Sequence, residues 1–379
     1  MTIDFGARRG LRALVLFTTI TLAVAVVADA AGAAPRVRRR RVQSPPPAEL
    51  GATWLADQIT QNGGFIESFG APDVTDTAYA VLGLHAAKIG GAASNAAITF
   101  LEAHLGTDLQ GSDGQDAPGA LADDILAATA AGADPYHFGG TAPANDLVAR
   151  LLLTQRGSGP DAGLFGTQDP TFDGTFRQGL ALAALAAARV PDRDPRISAG
   201  LSWLTQQQCA NGLFQAYRAP TATACDPADP TTFTGPDTNS TGMALQGLAA
   251  WHKKPMRLRA IRSLHSIQNA DGGFGFVAAA GEPSDPDSTA LVIQGLVAYA
   301  SKPTKAMWKK PAGTPLSALQ SFQLGCADGT SNDGAFFFPG SRTPNVFATV
   351  QAVPAAALAA LPLHASSNLG PPLNPLCVA

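Results

Sequence analysis

The stretch Ile267–Tyr299, IQNADGGFGFVAAAGEPSDPDSTALVIQGLVAY, decides the fold. It has an amphipathic end carrying Gln268, a turn at Asp271-Gly272-Gly273 leading into Phe274, and an apolar run that opens at Asp287-Ser288-Thr289. Ala290, Ile293, Gly295, Leu296 and Ala298 keep that run small or apolar, a pattern that buries a helix on most of its sides. One helix pair cannot cover such a face, so copies of the unit must stack.

Copies are found on both sides. The first carries Trp54, Leu55 and Ile59, then Gly63-Gly64-Phe65 and a helix opening at Asp76-Thr77-Ala78. A second, from about Ala93 to Ala131, keeps helical spacing at Leu101, Leu105, Leu121 and Ile125 but lacks the glycine–aromatic turn. The third has Gln155, Gly163-Leu164-Phe165 and Leu180; the fourth has Gln208, Gly212-Leu213-Phe214, a long insertion and Asn239-Ser240-Thr241; the sixth has Gln323, Gly334-Ala335-Phe336 and an Ala-rich helix to Leu361. The turn glycines supply positive φ and close approach, and each phenylalanine is expected to cover its turn and stack on the nearby glutamine. Six helix pairs, one helix inside and one outside, predict a closed ring, because the terminal units show none of the polar capping that an open solenoid needs. The fold class is therefore all-α, an α6/α6 toroid.

The recurrence of Gln and Gly-x-Phe, followed by Asp-x-Asp-Ser-Thr-Ala and Gln-Gly-Leu, resembles the prenyltransferase and squalene-cyclase repeat over nearly all of residues 49–361. That superfamily includes terpenoid cyclases, protein prenyltransferase subunits and cobalamin carriers, so the resemblance implies the toroid and leaves the activity open. In its class II cyclases the middle carboxylic acid of Asp-x-Asp-Asp-Thr-Ala protonates an alkene. Asp285-Pro286-Asp287-Ser288-Thr289-Ala290 aligns Asp287 with that acid and Asp285 with its neighbour, but puts Ser288 in place of the last Asp. Asp73-Val74-Thr75-Asp76-Thr77-Ala78 has Thr75 where the acid would stand. On residue type alone, Asp287 and Asn239 are also the expected helix N-caps. The zinc-binding Asp, Cys and His of the prenyltransferases have no counterpart here, so no cofactor is expected; cobalamin enters by analogy alone.

The chain has 379 residues, 15% charged and 46% hydrophobic, with a formal net charge of −3, a balance that argues against nucleic acid as a partner. Residues 1–34 read as a signal peptide, with Arg8, Arg9 and Arg12 ahead of an apolar run and small residues at its end; a retained anchor is the alternative. Residues 35–48 form a basic, proline-rich tether, 49–361 the toroid and 362–379 a tail lying across the ring. In an exported chain the four cysteines are expected to form two disulfides, Cys209–Cys225 around the fourth unit's insertion and Cys326–Cys377 holding the tail.

The inner helix N-termini gather Asp73, Asp76, Asp173, Asp237, Asn239, Asp285 and Asp287 around a funnel, with Asp73, Asp76, Asp237 and Asn239 as ligand-binding candidates. The expected function is an exported, monomeric, non-catalytic binding protein for a small molecule or a cell-envelope partner. The alternatives are a terpenoid-cyclase-like enzyme using Asp287 as general acid, and an envelope polysaccharide hydrolase or lyase.

Overall fold

The computed structural model describes residues 46–166, 173–218, 224–253, 257–279, 281–373 and 377. The expected signal peptide and most of the tether lie outside the described residues. Helices alternate between two layers. In chain order they are α1 (Pro47–Gln61), α2 (Val74–Ala87), α3 (Gly91–Ala103), α4 (Pro118–Ala131), α5 (Leu147–Leu153), α6 (Thr175–Ala187), α7 (Pro195–Gln206), α8 (Thr238–Ala250), α9 (Arg257–Ile267), α10 (Pro286–Ala298), α11 (Pro315–Gln320) and α12 (Val346–Ala356). The first helix starts two residues ahead of the boundary expected at 49, because Pro47 fits the first helical position. The even-numbered helices pack each against the next, and α12 returns to pack on α2, so the ring closes. This is the α6/α6 toroid. Its strands are short antiparallel ribbons, β1 (Ile66–Ser68) with β2 (Ala71–Asp73) and β3 (Phe214–Gln215) with β4 (Pro236–Asp237), which lead into α2 and α8.

Four of the repeats are locked by a threonine one turn into the inner helix, and in the third Gln178 Oε1 takes that place, accepting from the Phe165 amide at 2.8 Å. The backbone N–H of Phe214 donates to Thr241 Oγ1 at 2.9 Å, that of Phe274 to Thr289 at 3.0 Å and that of Phe336 to Thr349 at 2.9 Å. Phe165, Phe214, Phe274 and Phe336 are all buried. Phe65 departs from expectation. In the first repeat the buried residue is Ile66, one place later, whose N–H donates to Thr77 Oγ1, and half-buried Phe65 packs on Phe100.

The glutamines bond rather than stack. Gln155 Nε2 donates to the carbonyls of Gly163 and Arg196, Gln268 to those of Gly272 and Trp308, and Gln323 to those of Gly334 and Pro47. Each thus ties its own turn to the segment that follows it in the ring, at the start of α7 for Gln155, ahead of α11 for Gln268 and at the start of α1 for Gln323, whose bond joins the sixth repeat to the first. Gly334, at φ +92°, lies so near α1 that an added Cβ would stand 2.3 Å from the carbonyl oxygen of Leu50.

After α12 the chain crosses the ring at the C-terminal ends of the inner helices. The amides of Leu361, Ser366, Gly370 and Leu373 donate in turn to Gln246 Oε1, the Ala130 carbonyl, the Lys88 carbonyl and Thr53 Oγ1. The disulfide Cys326–Cys377 ties the tail to the sixth repeat, and Cys209–Cys225 ties the fourth repeat's turn to its insertion.

Candidate functional site at the inner helix N-termini

With one end crossed by the tail, chemistry is sought at the other, where the inner helices begin. Four of them are capped by Asp73, Asp237, Asp285 and Asn345, whose side chains accept from the amides of Asp76 (2.8 Å), Ser240 (2.6 Å), Ser288 (2.7 Å) and Ala348 (2.8 Å), while α4 and α6 follow Ala117 and Gly174 with no side-chain cap. This corrects the capping expected of Asp287 and Asn239. The cap falls two residues earlier because the extended backbone of Asp237 and Asp285 aims their carboxylates at the third helical amide, and Pro286 occupies the position after Asp285, where no N–H is needed.

Asp287 is thereby released from a helical duty. It is 8% exposed, its Oδ1 is buried without a hydrogen-bond partner, and it lies in the wall of a cavity of about 640 Å3. Asp73 and Asp76 of the first repeat share that wall. Phe69, Phe338 and Phe347 line the same cavity, along with Glu67 and Asn345. Burial, then the charge of Asp285, pushes the Asp287 carboxyl up to about 7. Burial, then the charge of Asp73, raises Asp76 to about 6 against a hydrogen bond from Ser68. Two carboxyls raised in one cavity, each beside another carboxylate, form the kind of group that can hold and release protons near neutral pH.

The remaining candidates lie apart. Asp285 sits behind Asp287 as a cap, raised by burial against its hydrogen bonds to Ser288. Asp237 is likewise a buried cap, raised to about 6 by burial. Asn239, half-buried beside it, is outside the cavity wall. The cysteines are joined in disulfides, which removes their thiolates as metal ligands.

Sequence reasoning missed Asp123 on α4. It is 3% exposed, the Tyr79 hydroxyl hydrogen-bonds to it, and burial followed by the charge of Asp124 holds its carboxyl far above the usual range. Asp76 and Asp73 act on it in the same direction and Arg177 of α6 opposes them, so it belongs to the same group of inner-helix side chains. The available signal was a pair of carboxylates, Asp123-Asp124, inside an apolar helical run.

No family model and no curated protein matches the chain. Solved structures do resemble it. Type II terpene cyclase MstE from Scytonema, without ligand, is 14% identical with a TM-score of 0.52, over 82% of this chain and 96% of that one. An unsaturated glucuronyl hydrolase from Bacillus sp. GL1, described as responsible for glycosaminoglycan degradation, is 13% identical with a TM-score of 0.56, over 82% and 95%. The ent-copalyl diphosphate synthase from Streptomyces platensis is 17% identical with a TM-score of 0.48, over 80% of this chain and 53% of that one, so the chain spans about half its length. At these identities the likeness to MstE and to the glucuronyl hydrolase establishes the toroid fold alone, which a cyclase and a hydrolase share.

Proposed function

We propose that this is an exported protein whose funnel binds a small molecule or the end of an envelope polymer, and that Asp287 donates a proton to an oxygen atom of that ligand. The observation that carries this is the free Oδ1 of Asp287, buried in the cavity wall on a carboxyl raised to about 7. Asp76, raised to about 6, is the matching base: between those values Asp287 keeps its proton while Asp76 has lost its own.

Protonation of an oxygen suits this wall better than protonation of an alkene. Alkene protonation needs the acid alone and leaves Asp76 without a role, whereas a leaving hydroxyl or ether oxygen is served by an acid and a base together. Hydrolysis or elimination therefore fits the wall better than terpenoid cyclisation. Export is supported by the N-terminal sequence and by two disulfides; among the described residues no helix is long and apolar enough to cross a membrane.

The test is incubation of the disulfide-bonded protein with envelope polysaccharides and, separately, with squalene, following reducing-end release, unsaturated products and cyclised hydrocarbons. Release or elimination that is lost in Asp287→Asn and falls as pH rises through about 7 is expected. Cyclised squalene, or turnover untouched by Asp287→Asn, would overturn the proposal.

A further inference from the structure

Granted the acid role of Asp287, the geometry points to a saccharide ring as the occupant, held on its apolar face by Phe69, Phe338 and Phe347. Phe69 is the first of the two residues joining β1 to β2, with φ +52°, followed by Gly70 at +80°. Positive φ at both positions is the conformation for which such turns favour Asn, Asp or Gly, and a bulky aromatic there is strained. The strain brings no folding benefit, because the ring is fully exposed. An exposed aromatic held in a costly backbone conformation beside a cavity is placed for something that enters the cavity.

Phe347 strengthens this. It occupies the second residue after an N-cap, the position held by Thr75 in α2, Asn239 in α8 and Asp287 in α10. In the sixth repeat that position carries a half-exposed phenyl ring, and Phe338, also exposed, comes from the turn before it. The lining of the cavity therefore combines phenyl rings with the carboxyls of Asp73, Asp76 and Asp287. A pyranose matches both kinds of group: its C–H face packs on aromatic rings while its ring-edge hydroxyls and glycosidic oxygen meet carboxyls. A hydrocarbon would leave the carboxyls unpaired, and a small polar ion would leave the phenylalanines in water.

The probes are cellohexaose, chitohexaose and maltohexaose, with farnesol as the apolar comparison, measured by calorimetry against wild type, Phe69→Ser, Phe347→Ser and Asp287→Asn. Because both phenylalanines are exposed, their variants should melt with the wild type. At least one hexasaccharide should bind, with affinity falling about 2- to 12-fold for each phenylalanine removed, while Asp287→Asn binds it but loses turnover. Unchanged hexasaccharide affinity in both phenylalanine variants, or binding of farnesol with no hexasaccharide bound, would overturn the assignment of the ring. Turnover unaffected in Asp287→Asn would instead remove the acid role beneath it.

Discussion

Gly247 of α8 meets the backbone of Gly179 of α6 so closely that a Cβ added at Gly247 would lie 2.5 Å from the Gly179 carbonyl oxygen. The same contact recurs one step round the ring, where a Cβ at Gly295 of α10 would lie 2.9 Å from the carbonyl of Gly242 in α8. The inner helices are thus spaced by glycine, and the Gln-Gly-Leu recurrence is the sequence trace of that packing. Backbone cannot yield as a side-chain end can, so Gly247→Ala should cost about 1–3 kcal/mol, despite alanine's better helix propensity. Urea unfolding checks this; a stabilised variant would contradict the packing.

Phe274 is buried and meets Trp308 edge to face, with ring centroids 6.5 Å apart. Phe274→Ala should cost about 3–5 kcal/mol. Thr289→Val, which keeps the volume but takes away the acceptor for the Phe274 amide, should cost about 1–3 kcal/mol, and Thr289→Ser should recover most of it. Thermal melts of the three variants rank them, and equal melting of the Val and Ser variants would argue against the amide–threonine lock.

Much of this was legible in the sequence, since the repeat combines local rules. Turn glycines, apolar runs and paired cysteines each announced a structure that is found. Legibility ended where the outcome depends on one or two residues of register. Asp285 and Asp287 are both plausible caps, and only the extended backbone at Asp285 decides between them. In the first repeat the locked position falls on Ile66, one place after Phe65. Asp123 was hidden because the second repeat lacks the motif that locates inner-helix ends, and the phenyl rings of the cavity were hidden because Phe69 belongs to the first repeat and Phe338 and Phe347 to the sixth, which come together only when the ring closes.

Cys326–Cys377 closes a sequence separation of 51 and holds the far end of the tail. Replacing both cysteines by serine should cost about 4 kcal/mol in the chain-entropy picture. The shorter Cys209–Cys225 link, with a separation of 16, should cost about 3 kcal/mol. Calorimetric melts of the two double variants check the order.

Stability should also depend on pH through Asp287. Its folded pKa of about 7 is above the unfolded value of 3.8, so between about 4 and 7 the folded protein holds a proton that the unfolded chain has released. Its contribution is complete below the unfolded value and lost as pH rises through about 7. Buried His85, lowered to about 4 by burial, acts the other way, with stability rising from about 4 to 6.5. Comparing wild type with Asp287→Asn cancels the histidine: the variant should gain relative stability steadily from pH 4 to 7. A difference independent of pH would contradict a buried, protonated Asp287.

The most direct test is the titration of the Asp287 carboxyl itself, by carboxyl carbon NMR in protein labelled at aspartate and assigned with Asp287→Asn. A midpoint near 7 is expected, with the carboxyl still protonated at pH 6. A midpoint near 4 would mean that the cavity wall offers an ordinary solvated carboxylate, and the proton donor proposed for this funnel would not exist.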